Sequence, residues 1–236
     1  MKHLEDSSVR VFDAAVAEVR DAKSVVLSET YFYPLGGGQP SDCGELVNVA
    51  TGERFRVVSV RKQDGSVLHE LDNVGLAPGV AVRCSIDWAR RHKLMRSHTA
   101  AHIVSEIIHR ETGALITGNQ LETDKVRIDF SLETFDPCAF GAYIEQANGI
   151  IAQAIPVETR IIARSEAMAI PMLSKLAGGL PEHITQVRIV EIKGFDVQGC
   201  GGTHVRNTAE IGSLKLLKCE NKGAKNRRVY FEVLDA

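Results

Sequence analysis

Apolar positions along this chain fall into two regimes. From the start to about residue 86, short apolar or alternating runs (VRVFDAAVAEV, SVVLSETYFY, GELVNVATGERFRVVSV, GSVLHEL and GVAVRCSI) are broken by turn residues such as TGE, QDG and APG. Runs so short and so closely spaced predict the strands of a small antiparallel barrel or sandwich. One of them, VFDAAVAEVRDA, could instead form a short helix.

At Asp87 the period changes. DWARRHKLMRSHTAAHIVSEIIHRETG opens on an N-cap candidate, runs through helix formers and closes on Gly113, so it predicts a long helix with Leu94, Met95, Ala101, Val104, Ile107 and Ile108 on its apolar face. A second helix is predicted over about 138–154, where Phe140, Tyr143, Ile144, Ala147, Ile150 and Ile151 recur at helical spacing, with Pro156 ending it. KVRIDFSL, VETRIIARS, TQVRIVEI, GSLKLLKCE and RRVYFEVL alternate as strands. The expected fold is α+β: a small antiparallel β-barrel over residues 1–86, then a two-layer α/β domain over 87–236 with helices packed on an antiparallel sheet.

With 236 residues, 44% of them hydrophobic and 25% charged, the chain can bury a full core and does not have the composition of a disordered protein. A net charge of −2 argues against indiscriminate binding to nucleic acid, although basic residues cluster locally at Arg90, Arg91, Lys93 and Arg96 and at Lys215, Lys218, Lys222, Lys225, Arg227 and Arg228. Each cluster is either a solvated face or a meeting point for an anionic substrate. The five cysteines are odd in number and irregularly spaced, which excludes a secreted disulfide scaffold. No charged-then-apolar leader and no membrane-spanning run is evident, so a cytoplasmic protein without membrane contact is expected. The sequence carries no signal of oligomeric state.

SHTAAH places His98 and His102 four apart, on one side of the predicted helix, where both can reach one ion. A lone pair of this kind is as readily one core and one solvated histidine. About a hundred residues on, GCGGTH sets Cys200 four before His204, with glycines that let the backbone turn sharply. Three imidazoles and one thiolate form a ligand set that suits Zn2+ better than Mg2+ or Ca2+. Thr99 stands where a zinc protease of the two-histidine type has its glutamate, and the separation of the pairs is too long for a zinc finger. A second unusual segment, SETYFYPLGGGQPSDCG, combines Gly36, Gly37, Gly38, Gln39 and Pro40; it is either a tight connection between strands or a substrate loop, and it fits neither phosphate-binding glycine pattern.

FYPLGGGQPSDCG, DWARRHKLMRSHTAAH, PVETRIIARSEA and CGGTHVRNTAEIGSLKL, in that order, resemble the successive motifs of the alanyl-tRNA synthetase editing domain and its free-standing relatives, over about residues 28–233. The resemblance implies a free-standing editing protein of the medium-length kind, a hydrolase that removes serine, and glycine as a further candidate, from tRNA(Ala). It implies one Zn2+ per chain held by His98, His102, Cys200 and His204, with Thr30 recognising the wrong amino acid. Thr30 and Gln39 are the candidate catalytic residues. Gly36, Gly37 and Gly38 are candidates for approaching the aminoacyl end, and Arg90, Arg91, Arg96, Lys222 and Arg227, with Lys225 and Arg228, for meeting phosphates. Two rival readings are a zinc-stabilised tRNA-binding module without catalysis and a zinc hydrolase of small esters or amides.

Overall fold

In a computed structural model of the protein, residues 2–134, 136–170, 173, 175 and 184–235 are described. The chain divides into two compact units, Met1–Lys93 and Leu94–Ala236.

Unit 1 is a closed antiparallel barrel of six strands: β1 (Val11–Arg20), β2 (Ser24–Leu27), β3 (Gly44–Asn48), β4 (Arg54–Gln63), β5 (Ser66–Leu71) and β6 (Ala81–Ile86), in the order β1-β2-β5-β4-β3-β6, with β6 pairing back to β1. Alternation does what the sequence promised. In β6, Val82, Cys84 and Ile86 face the core while Ala81 and Arg83 face water. Phe32, Leu46, Phe55 and Val57 fill the same interior. The VFDAAVAEVRDA segment is a strand and not a short helix. Its backbone pairs with β2 on one side and β6 on the other, and Phe12 and Val16 are buried in the barrel core, so closure outweighs the helix preference of Ala and Glu.

A long helix, α1 (Trp88–Thr112), follows. Asp87 caps it, accepting from the Arg90 amide at 3.1 Å, and Gly113 leaves it with φ +71°. Sequence periodicity marks one apolar face, yet residues 94–108 are buried around the whole circumference. Two of the polar positions among them are satisfied by carbonyls: Arg96 donates to the Ile211 carbonyl at 2.8 Å and Thr99 to the Met95 carbonyl at 3.1 Å.

Unit 2 continues with β7 (Ile116–Leu121), β8 (Val126–Phe130), α2 (Pro137–Ile151), β9 (Val157–Ala163), the short α3 (Arg164–Ala167), β10 (Gln186–Ile192), β11 (Asp196–Gly199), β12 (Ser213–Asn221) and β13 (Arg227–Leu234). Two antiparallel sheets result, β12-β13-β8-β7 and β11-β10-β9. Asp136 caps α2 through the Cys138 amide at 2.9 Å, and Asn148 pins the helix to β12 by two bonds with Leu214, of 3.0 and 2.7 Å. α2 stops at Ile151 and the chain reverses at Ala154, φ +52°, before Pro156 is reached. Among the described residues no helix is long and apolar enough to cross a membrane.

Candidate metal centre

The four predicted ligands converge. One donor atom from each of His98, His102, Cys200 and His204 lies within 4.8 Å of all the others. Helical spacing sets the His98 and His102 rings 5.4 Å apart, and the His204 ring stands 4.4 Å from the first and 4.6 Å from the second. Cys200 directly follows β11, and its amide donates to the Arg188 carbonyl at 2.9 Å. The Arg188 guanidinium returns to the Cys200 and Gly202 carbonyls at 3.0 and 2.8 Å, so one side chain holds both halves of the glycine turn. The Gly202 amide then points at the Cys200 sulfur from 3.4 Å.

Two of the donor spacings match the edges of a tetrahedron around an ion. For metal–sulfur and metal–nitrogen bonds of about 2.3 and 2.0 Å, a tetrahedron has S···N edges of about 3.5 Å. Cys200 Sγ lies 3.5 Å from His98 Nε2 and 3.4 Å from His204 Nε2.

Outer contacts settle which imidazole nitrogen faces inward. The Thr99 hydroxyl gives its proton to Met95 O, so its oxygen accepts: from the Val205 amide at 3.3 Å and from His204 Nδ1–H at 3.1 Å. The lone pair of His204 is therefore on Nε2, toward Cys200. For His102, Nδ1 lies 3.3 Å from Asp196 Oδ2, a close ionic contact outside hydrogen-bond angles, and this again leaves Nε2 for the cluster. Asp196 is itself held by Gln198 at 2.8 Å and by buried Lys175, whose ammonium also meets Glu106 at 2.7 Å.

Electrostatics agree with a ligating set. Burial alone would raise the Cys200 thiol, but the imidazoles of His98 and His204 and hydrogen bonds from His102 and His204 hold it well below its ordinary value, favouring thiolate. Burial and the neighbouring His98 push His204 well below the usual imidazole range, favouring the neutral ring. Burial works against a charged His102 too, but Asp196 and Cys200 outweigh it and raise its pKa to about 9. A bound cation would replace that proton.

The other predicted residues lie in unit 1 or scatter through unit 2. Gly36 to Gln39 form a two-residue turn closed by reciprocal backbone bonds of 3.2 and 3.0 Å, with Gly37 at φ +58° and Gly38 at φ +81°. Positive φ at both central positions is why glycine stands there. Tyr33 ties the turn down through Gly36 O at 2.8 Å, Gln39 is fully buried, and buried Thr30 bonds to His69 at 2.8 Å.

Three arginines that the sequence reading assigned to phosphates are instead buried with their guanidinium groups taken. Arg91 forks onto Asp42 and donates to the carbonyls of Ser7 and Tyr31, locking the base of the glycine segment. Arg96 bonds Ile211 O, Leu234 O and Asp235, and Arg227 bonds carbonyls including Thr134 O and Asn221 Oδ1. Arg90 is half-buried, donating to Ser41 O at 3.3 Å, and Lys222 pairs with Glu220 at 3.0 Å on the surface. Sequence reasoning missed Asp196, Lys175, Glu106 and His69. Asp196 carried one usable signal, an acid four residues before the ligand cysteine.

A closed β-barrel unit and an α+β unit that buries a three-histidine, one-cysteine cluster define a barrel-bearing protein with a candidate metal centre. A family model described as the threonyl and alanyl tRNA synthetase second additional domain matches residues 187–230, and one described as tRNA synthetases class II (A) matches residues 7–90. The alanyl-tRNA editing protein AlaX-M of Methanosarcina barkeri is 48% identical, over 98% of this chain and 97% of its own length. That of Saccharolobus solfataricus is 43% identical over the same shares, and the alanine–tRNA ligase of Methanothrix thermoacetophila is 38% identical over 95% of this chain but 24% of its own length. The chain belongs to the AlaX-M family of alanyl-tRNA editing proteins.

Proposed function

We propose that this protein is an aminoacyl-tRNA deacylase acting in trans, hydrolysing the ester that joins serine to tRNA(Ala), with glycine a further candidate. The observation that carries the reading is the convergence of His98, His102, Cys200 and His204, in a member of this family. We infer one Zn2+ per chain as the ion, on the strength of the imidazole–thiolate donor set and its tetrahedral edges. When bound, zinc supplies Lewis acidity.

The chain's own side chains do the rest. Asp196 and Thr99 orient His102 and His204, and the turn clamped by Arg188 presents Cys200. An ester is already activated, so positioning it beside water and supporting the developing oxyanion suffice for turnover. Thr30 and Gln39 are the proposed substrate-side groups. Thr30 pairs with the hydroxyl by which serine exceeds alanine, and the Gly36–Gly38 turn lets backbone approach the aminoacyl terminus. Arg90, Lys222, the exposed Lys225 and the part-exposed Arg228, which pairs with Asp129, are the basic residues left to meet phosphates.

The test is incubation of purified protein with seryl- and alanyl-tRNA(Ala), before and after zinc is stripped by a chelator. Loss of the seryl ester alone, abolished by the chelator while the circular dichroism of the fold persists, is expected. Survival of the seryl ester would leave a binding module, and equal turnover of minimal seryl esters without tRNA would leave a small-ester hydrolase.

A further inference from the structure

Inside the barrel, Thr30 shares its hydroxyl with a histidine that has no part in the metal cluster. His69 is fully buried on β5, with its ring edge-on to Phe32 at 5.4 Å. Its Nδ1 lies 3.2 Å from the carbonyl of Val25, and its Nε2 lies 2.8 Å from Thr30 Oγ1. A carbonyl oxygen can only accept, so Nδ1 carries the ring hydrogen. Burial holds the ring far from protonation, with a pKa lowered to about 4, so Nε2 is a bare lone pair at neutral pH. The proton between Nε2 and Oγ1 is therefore the threonine's. Thr30 Oγ1 also accepts from the Phe32 amide at 3.1 Å. One donor and one lone pair of the hydroxyl are then committed, and a single lone pair is left.

We propose that His69 is a specificity-positioning residue: by taking the Thr30 proton it turns Thr30 into a pure acceptor, which selects aminoacyl groups whose side chain has a hydrogen to donate. This rests on the proposed role of Thr30 in reading the substrate. The selected class is aminoacyl esters with a β-hydroxyl or other β-donor. Alanine offers no hydrogen there, and a group that can only accept meets a lone pair facing a lone pair.

The experiment reads the ratio of seryl to alanyl kcat/KM, on tRNA(Ala), for the wild-type protein and for T30V, H69F and the double variant. Losing one neutral hydrogen bond corresponds to a fall of about tenfold in that ratio for each single change. Because His69 acts through Thr30, the double variant falls no further than T30V. H69Q, which restores an acceptor, recovers part of the ratio. If T30V keeps full discrimination, the reading of Thr30 itself fails. If T30V loses it while H69F keeps it, or if the two losses multiply, only the role of His69 fails.

A second arm needs no variant. tRNA(Ala) charged with 3-fluoroalanine, near serine in size but without a hydrogen to give, is turned over at the alanyl acceleration relative to its own uncatalysed hydrolysis. Turnover at the seryl acceleration would overturn the proposal even if H69F does not fold.

Discussion

The Nδ1 nitrogens of His102 and His204 are each held by one oxygen, Asp196 Oδ2 at 3.3 Å and Thr99 Oγ1 at 3.1 Å. The two holders differ in kind. Thr99 is on the same helix as His98 and His102, so its placement follows from the helix alone. Asp196 comes from β11 and is neutralised by Lys175, which Glu106 on α1 also binds. Replacing Asp196 by Asn keeps the volume but removes the charge that His102 faces. Zinc affinity of D196N, measured by competition with a chromophoric chelator, is expected to be about ten- to a hundredfold weaker than wild type. An affinity equal to wild type would show that Asp196 serves only the packing of Lys175.

At the scale of elements, the glycine turn and α1 depend on one buried ion pair. Arg91, on the first turns of α1, reaches Asp42, and Asp42 accepts from the Tyr33 amide at 2.6 Å while its own amide donates back to Tyr33 O at 3.0 Å. R91M would strand the Asp42 carboxylate in the interior, at a cost of about 3–5 kcal/mol, read as a lower urea midpoint. A surface arginine would show almost no change. Such internal use of arginine was not legible in the sequence, because WARRHKLMR spaces solvated and buried cations alike. The barrel strands, both caps of α1 and the four members of the His/Cys cluster were legible, since each leaves a local signature: alternation, Asp87 and Gly113, or residue pairs four apart. Lys175 and His69 leave none, and Asp196 only its spacing to Cys200, because their partners are 69, 39 and 94 residues away, at Glu106, Thr30 and His102. The choice between strand and short helix at Val11–Arg20 stayed open for the same reason, since neighbours on β2 and β6 decide it.

For the molecule as a whole, buried His69 ties stability to acidity. The unfolded chain takes up a proton there at the ordinary value of 6.5, whereas the folded chain does so only at about 4. The unfolded state therefore holds more protons between these limits, and stability is full above 6.5 and falls as pH drops toward 4. The loss amounts to about 3 kcal/mol. It is measured as the difference between wild type and H69F in urea unfolding at pH 7 and pH 4.5. Equal falls in both proteins would assign the acid sensitivity to other groups.

The candidate metal-binding residues come in two instalments, with Cys200 lying 102 positions beyond His98. While the ribosome is still working through the intervening stretch, a nascent chain can offer an ion only two imidazoles, a weak and labile perch. Firm capture has to wait until the second pair has emerged and the strands that carry it have docked. If an ion binds there as proposed, its occupancy would mark the end of maturation, and a truncated or stalled product would leave its histidines unloaded.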